Sequence, residues 1–459
     1  MKDNFLTKLN FFIKKNSIII STKIIVHNTI LFIINNNIER NIFFMNFFIK
    51  KNVKYIVISI KYYQLIQTYK QKNFFCNTTI LYVYNVKYFL SIVINIVYKK
   101  PKNLVFITGT NGKTSIVEYF IQICCLLGLK SYSLGTLNRN NYYDSLTSLP
   151  SLNLHSKLHE LLKNHYNYIA LEISSHGITQ CRMNNINIDA LGITNIVQDH
   201  LDYHVSFNHY FCSKIQILKK QILNKNIIIV SKHILQMLKN YYKIKQIKIL
   251  DYGQQANFIK LILSNNIVIL NKYYKHISIN TKFHFYNLMC VLGLILSCKI
   301  SICKVVSVLN KLYYPMGRLN LIRRYYCRVY VDYAHNPIGL CNILLEVQNV
   351  IGNKIYIIFG SGGEKDKEKR FFMGQIANEL ADFVVITDDN PRKEKMKTIR
   401  HNIVKKCYKG VEISNRSTAV QFIKKSLKFG DKLVIIGKGH EKYQIIKTNY
   451  ITYSDNNEI

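Results

Sequence analysis

The sequence predicts an α/β protein of three domains. These are a small N-terminal α/β domain over 1–99, a central P-loop-type domain with a mostly parallel sheet over 100–317, and a Rossmann-like α/β domain over 318–459. Three observations carry that prediction. From residue 100 onward, buried-strand patterns alternate with helical stripes, the mark of a parallel sheet covered on both faces. The alternation breaks at YYPMGRLNLI (313–322) and then restarts. Unusual polar clusters fall just past the carboxyl ends of these strands, where open α/β sheets bind ligands.

Residues 1–99 are rich in Asn, Lys, Ile and Phe, and the runs YIVISI (55–60) and ILYVY (80–84) predict strands. Lysines interrupt the apolar runs of the opening MKDNFLTKLNFFIKKNS, and no stretch reaches the ~18 apolar residues of a membrane span. The best candidate, 81–98, contains Asn85, Lys87 and Asn95. No small-residue cleavage site follows a compact apolar core, so no signal peptide is expected. KNLVFITG (102–109) predicts a buried strand. SIVEYFIQICCLLG (115–128) then carries Ile116, Val117, Phe120, Ile121, Cys124 and Leu127 as a helical stripe stopped by Gly128. Further strands are predicted in YNYIALEIS (166–174), DALGITNI (189–196) and NIIIVS (226–231). After the junction they recur in RVYVDYA (328–334), KIYIIFGSGG (354–363), ADFVVITDD (381–389) and DKLVIIGKGH (431–440).

A net charge of +38 on 459 residues would ordinarily point to a polyanionic partner. Here the lysines are scattered rather than gathered in one stripe. The excess of Ile, Asn, Lys, Tyr and Phe, with no Trp and only 5 Pro, is the pattern of an A+T-rich coding sequence. Neither nucleic acid nor membrane insertion is therefore expected. The 11 cysteines include no CxxC pair, which predicts reduced thiols in a cytoplasmic protein without a metal cluster.

TGTNGKTS (108–115) lies between a strand and a helix. Gly109 and Gly112 let the backbone curl so that its N–H groups face a phosphate, and the helix N-terminus adds a favourable field. Lys113 would reach the outer phosphates and Thr114 could hold Mg²⁺, although the GxxGKT spacing is shorter than the common motif. LEISSHGITQCR (171–182) ends its strand in Glu172, a carboxylate that needs a partner or a metal. NIVQDHLDYH (195–204) places His200 at another strand end, with Lys214 ten residues beyond the block. ADFVVITDDNPRKE (381–394) runs a buried strand into Asp389-Asn390-Pro391-Arg392. Pro391 lacks an N–H and keeps Asn390 out of the helical region, so a rigid turn holds an arginine at a strand end.

GTNGKTS, EISSHG, DHLDYH, MGRLNLI, VDYAHNP, FGSGGEKDKEKR, DNPR and GKGHE occur in that order, and together they resemble the Mur ligases over 101–455. Before residue 100 the likeness to the family's uridine-binding domain is limited to NTILFI and FIKKNVKYIVIS, without its glycine-rich signature. The resemblance implies ATP at Gly109, Thr110, Asn111, Gly112, Lys113, Thr114 and Ser115, with Asn287 by the adenine, Arg318 by the phosphates and Asp332 by the ribose. It implies Mg²⁺ served by Thr114, Glu172, His200 and Lys214, the last at the position of a lysine carbamylated by CO₂. Thr147, Ser148, Ser174, Gln180 and Arg182 match positions near a UDP-N-acetylmuramoyl-dipeptide. Two departures stand out: the family's FNxxN has His284 for its first asparagine, and its TTP reads Thr147-Ser148-Leu149.

Within the resembling family, DNPR marks enzymes that add meso-diaminopimelate. A fixed guanidinium suits that amino acid's distal carboxylate and repels the bare ammonium of lysine. The resemblance adds Arg370, Asp389, Asn390, Pro391, Gly437 and Glu441 to the pocket of Arg392, with Glu441 accepting from the distal ammonium. It implies an ADP-forming amide ligase acting as a monomer. A sister ligase using lysine or another amine, or a folylpolyglutamate-type synthetase sharing GTNGKT, are the alternatives.

Overall fold

The computed structural model describes residues 17–19, 29–34, 45, 53, 55–70, 78–137, 147–221, 227–239, 248–262, 267–270, 273–276, 281–323 and 327–459. Apart from Ser17, the opening stretch quoted above lies outside them, as do Asn28 of NTILFI, 48–52 and Lys54 of FIKKNVKYIVIS, and Asn226 of NIIIVS. Two compact units are present. One comprises Met1–Lys102, Leu146–Asn167 and Ser174–Asn187; the other comprises Asn103–Ser145, Tyr168–Ile173 and Ile188–Ile459.

The first unit holds a parallel four-stranded sheet in chain order: β1 (Ser17–Ile19), β2 (Thr29–Phe32), β3 (Tyr55–Ser59) and β4 (Thr79–Val83). Its strands alternate apolar side chains between two faces. Ile56 and Ile58 pack with Tyr62 and Ile66 on one face, while Val57 packs with Leu90, Val93 and Ile94 of the helix Val86–Val97 on the other. The predicted strands at 55–60 and 80–84 are present. No helix among the described residues is long and apolar enough to cross a membrane.

The second unit contains two larger sheets. The first has nine strands: β5 (Leu104–Thr108), β6 (Ser131–Leu134), β7 (Tyr168–Ile173), β8 (Ala190–Ile193), β9 (Ile227–Ser231), β10 (Lys248–Gly253), β11 (Ile259–Ile262), β12 (Ile267–Leu270) and β13 (Tyr273–His276). Their spatial order is β13-β12-β11-β10-β9-β8-β5-β7-β6. Only the β11–β12–β13 edge is antiparallel. Thr108 pairs with Ile173 on one side and Ile193 on the other, so three strands end in one row. The order reverses around β5, and the loop that leaves β5 opens into that reversal. Helices Lys113–Leu126 and Lys282–Ser297 bury Phe120, Ile123, Leu288 and Leu292 in the core of this layer.

The second sheet is formed by β14 (Asn320–Arg323), β15 (Arg328–Asp332), β16 (Ile355–Phe359), β17 (Phe383–Ile386), β18 (Gly410–Glu412) and β19 (Lys432–Ile436), in the order β14-β15-β19-β16-β17-β18. All but β14 run parallel. Asp332, Ile436, Phe359 and Ile386 are register partners across four strands, so the segments that follow them emerge side by side. A ribbon of β20 (Tyr443–Ile446) and β21 (Asn449–Thr452) follows the last of these.

Candidate active site

The loop between β5 and the helix Lys113–Leu126 is shaped by two glycines, Gly109 at φ 148° and Gly112 at φ 86°. A Cβ on Gly112 would lie 2.4 Å from Asn287 Oδ1, so the asparagine is packed directly against the loop. Residues beyond β8 stitch the loop in place. Thr110 N donates to Asn195 O at 2.7 Å, Asn111 N donates to Asn195 Oδ1 at 2.9 Å, and Thr194 Oγ1 donates to Asn111 O at 2.7 Å. No side chain caps the helix that starts at Lys113, and Thr114 and Ser115 are buried in its first turn. Uncapped N–H groups at a helix start are an anion site. Lys113 folds over the loop, its Nζ donating to Gly109 O at 3.0 Å and Thr110 O at 2.8 Å.

Acidic groups surround this ammonium. Glu172, at the end of β7, accepts from Thr136 N at 2.9 Å and Thr136 Oγ1 at 3.1 Å, over Gly135. Burial lowers the Lys113 pKa, Glu172 and Asp199 oppose that, and Arg318 adds to it. Asp199 Oδ2 lies 3.9 Å from His200 Nε2 and 3.8 Å from His335 Nε2. Burial pushes its carboxyl up, but the charges of His200, His335 and Lys369 outweigh that and hold it well below the carboxylate range. His200 has φ 55° and starts the short helix Leu201–His204. Lys214 is 2% exposed; its Nζ donates to Gly109 O at 2.7 Å and lies 4.8 Å from the Tyr210 ring centre. Burial, then the Lys113 charge, favour the free amine and push its pKa far down, while Asp199 pulls the other way.

Arg318 reaches in from the junction before β14. Its Nη2 donates to Thr114 Oγ1 at 2.9 Å and its guanidinium lies 4.6 Å from the Tyr333 ring centre. Asp332, at the end of β15, accepts from Leu319 N and Ala334 N, each at 2.6 Å. Burial raises its pKa, and Arg318 and those amides pull the other way. Asn336 Nδ2 donates to Asn111 Oδ1 at 3.0 Å. The ends of β5, β7, β8 and β15 thus converge on one loop.

A second cluster occupies the ends of β17 and β19. A Cβ on Gly437 (φ 117°) would lie 2.3 Å from Asp389 Oδ2. Burial raises the Asp389 pKa, but Lys438, Arg416 and Arg392 together hold it below its ordinary value. Asn390 Nδ2 donates to Glu441 Oε2 at 3.0 Å, and Tyr333 Oη donates to Glu441 Oε1 at 3.3 Å. Pro391 is followed by Arg392 in the left-handed region, at φ 52°. The ribbon fixes that turn: Arg392 N donates to Ile445 O at 3.1 Å and Lys447 N donates to Arg392 O at 2.7 Å. Arg392 Nη1 donates to Gly363 O at 2.9 Å and Asn390 O at 3.4 Å. Among the described residues its Nε and Nη2 donate to nothing. Arg370 differs: it is fully buried, and its Nη1 and Nη2 donate to Glu394 at 2.7 and 2.8 Å. Lys369 joins the two clusters. Its Nζ donates to His335 O at 2.8 Å, and both Asp199 and Asp389 favour its charge.

The remaining predicted residues sit in the first unit. Ser174 N donates to Ser148 Oγ at 2.9 Å, and Ser174 Oγ accepts from Gly177 N at 3.1 Å. Arg182 donates to Ser148 O and, through Nη2, to Gln180 Oε1 at 2.7 Å; half-buried Thr147 precedes Ser148.

Residues 107–295 match the Mur ligase middle domain, and residues 317–439 match the Mur ligase, glutamate ligase domain. The UDP-N-acetylmuramoyl-L-alanyl-D-glutamate--2,6-diaminopimelate ligase of Rickettsia bellii is 35% identical over 405 residues, covering 83% of this chain and 85% of that protein. The chain belongs to the Mur ligase family. The ligase of the same name from Rhizobium meliloti is 31% identical over 383 residues, covering 79% of this chain and 78% of its own. A solved structure with that name is 25% identical, superposes with a TM-score of 0.58, and matches 88% of this chain and 90% of its own.

The α/β class and mostly parallel sheets expected from the sequence are those of this Mur ligase. Several residues in its site escaped the sequence reading. Asp199, Asn336, Lys369 and Lys438 lay inside quoted motifs, and their signal was the company they kept. Asn195 also lay inside such a stretch, whereas Thr136 carried no signal, because a hydrogen bond to a residue distant in the chain leaves no local pattern.

Proposed function

We propose that this Mur ligase joins meso-diaminopimelate to UDP-N-acetylmuramoyl-L-alanyl-D-glutamate, with ATP converted to ADP and phosphate. The observation that carries this reading is the Arg392 turn. A half-buried guanidinium with two nitrogens uncommitted stands next to Asn390, whose amide also touches Glu441. That set suits a distal ammonium–carboxylate centre: the carboxylate on Arg392, the ammonium on Glu441. Lysine lacks the carboxylate. Arg370, committed to Glu394, serves as a buttress to the Gly362–Gly363 turn on which Arg392 rests.

ATP suits the first cluster, because uncapped helix N–H groups, Lys113 and Arg318 converge on one loop. In this reading Asn287 lies by the adenine and Asp332 by the ribose. Hard oxygen donors at Thr114 and Glu172 suit Mg²⁺, which would neutralise phosphate charge, and the family resemblance adds His200 to them. The low pKa of Lys214 supports its carbamylation, since a free amine adds CO₂ and releases a proton. The γ-carboxylate of D-glutamate attacks the γ-phosphate, releasing ADP and leaving an acyl phosphate. Lys113 and Arg318 reduce the repulsion between the two anions and hold the phosphates in line. The amine of diaminopimelate then attacks the acyl carbon, and phosphate departs as the amide forms. Ser174, Gln180 and Arg182 hold the dipeptide, and residues 1–99 carry the uridine end. We assign this chemistry to a monomer in the cytoplasm.

The test is phosphate release from the UDP-linked dipeptide, ATP, Mg²⁺ and diaminopimelate, with each component omitted in turn and L-lysine offered in a parallel arm. Release that requires all four, and that lysine does not support, is expected. Equal release with lysine would sink the amino-acid assignment, and release without the dipeptide would sink the ligase reading.

A further inference from the structure

Thr114 and Tyr119 lie on one helix, Lys113–Leu126, and His284 and Asn287 lie on another, Lys282–Ser297. His284 is completely buried. One ring nitrogen, Nδ1, is 2.8 Å from Tyr119 Oη, and the other, Nε2, is 3.3 Å from Arg318 O. A carbonyl can only accept, so Nε2 carries the proton and Nδ1 accepts from the tyrosine hydroxyl. Both hydrogen bonds are therefore made by a single neutral tautomer. Burial, which pushes the His284 pKa down to about 3, keeps the ring neutral. The ring also packs edge-on against Tyr314, centres 4.6 Å apart, and Arg318 N donates to Pro315 O at 3.1 Å. The imidazole thus holds the junction segment at two points.

These contacts close a loop. Tyr119 holds His284, His284 holds the main chain of Arg318, and the Arg318 side chain returns to Thr114 of the helix that carries Tyr119. We propose that His284 is a positioning residue for nucleotide binding, which aims Arg318 at Thr114 by fixing the arginine's main chain to the phosphate-loop helix. This inference rests on the nucleotide reading of the first cluster. Asparagine in the resembling motif carries a donor and an acceptor on a smaller side chain, whereas the His284 ring sets its two nitrogens on opposite sides and reaches Tyr119 and Arg318 at once.

Affinity for Mg–ATP, measured by calorimetry, and KM and kcat for ATP test the idea on the full chain. His284→Leu, which fills the space without a donor or acceptor, is expected to raise the ATP KM about tenfold with kcat changed much less. His284→Gln, with one donor and one acceptor at similar reach, should stay within about threefold of the parent. Tyr119→Phe keeps the volume and strands Nδ1; it should raise the ATP KM a few-fold, and carries the test if the leucine variant does not fold. The deciding measurement is the pair Arg318→Ala and Arg318→Ala/His284→Leu. If His284 acts through Arg318, the second change adds nothing to the first, whereas a merely structural role makes the two effects additive and overturns the proposal. Parent protein that fails to bind Mg–ATP would overturn the nucleotide reading and this inference together. Parent and His284→Leu binding it equally would overturn this inference alone.

Discussion

Lys438 Nζ lies 2.5 Å from Asn390 Oδ1, and the lysine is completely buried. The same oxygen accepts from Ile445 N at 2.9 Å, so the amide has one orientation and turns Nδ2 to Glu441. Lys438→Met removes one of the two donors that enforce this orientation, together with the Lys438–Glu441 ion pair at 3.1 Å. It should raise the KM for diaminopimelate about tenfold while the ATP KM stays within about twofold. Steady-state kinetics in both substrates check this, and a matching rise in both constants would point to general disruption instead.

Lys113→Ala should abolish ADP release. The lysine is the loop's own cation, and Arg318 contacts Thr114 rather than spanning the loop. A coupled assay with detection down to about 10⁻³ of parent turnover is sufficient. Near-normal turnover would refute the phosphate role.

Arg392→Ala should reduce kcat/KM for diaminopimelate about a hundredfold, since two charge-assisted hydrogen bonds are lost. The KM for ATP should hardly move, because the turn hangs on the ribbon and not on the phosphate loop. Arg392→Lys should recover little, because an ammonium cannot bind a carboxylate in two parallel hydrogen bonds.

Asp389 has a folded pKa below its unfolded value, so its contribution to stability is complete above about pH 4 and fades as pH falls through the folded value. Denaturant unfolding between about pH 5 and pH 2 should therefore be steeper with pH for the parent than for Asp389→Asn. Identical slopes would mean that Lys438, Arg416 and Arg392 do not act on this carboxylate.

Lys214 offers a spectroscopic test. With ¹³C-bicarbonate, the parent should show a carbamate carbon resonance that is missing from Lys214→Arg, whose guanidinium stays protonated. Because its pKa is lowered, the free amine, and with it the carbamate, should persist near neutral pH and decline as pH falls through the folded value. A spectrum without that resonance at saturating bicarbonate would exclude the modification.

Glu172 stood out because it interrupts a buried strand near its carboxyl end, and Lys113 and Arg392 because each belongs to a polar stretch just past one, where polar residues have few structural uses. Arg370 shows where that reasoning stops. It looks from the sequence like a ligand-facing guanidinium, yet it turns inward to Glu394, 24 positions away. A strand end locates a side chain but not its partner. The β10–β13 stretch was hidden for another reason: Lys, Asn and Tyr interrupt its apolar alternation, and pairing between neighbouring strands holds it together. Glu172 was singled out as a carboxylate in need of a partner, and Thr136 supplies two hydrogen bonds to it from a turn with no distinctive composition.

The β20–β21 ribbon gives the molecule a modular weakness. It grips Arg392 by the main chain on both sides, so the residue proposed to read the incoming amino acid is aimed by a short hairpin near the end of the chain. Damage to that hairpin, by clipping or by mutation at its turn, would blur the choice of amino acid while the apparatus that grips the nucleotide stayed whole. Fidelity and energy use could then fail separately.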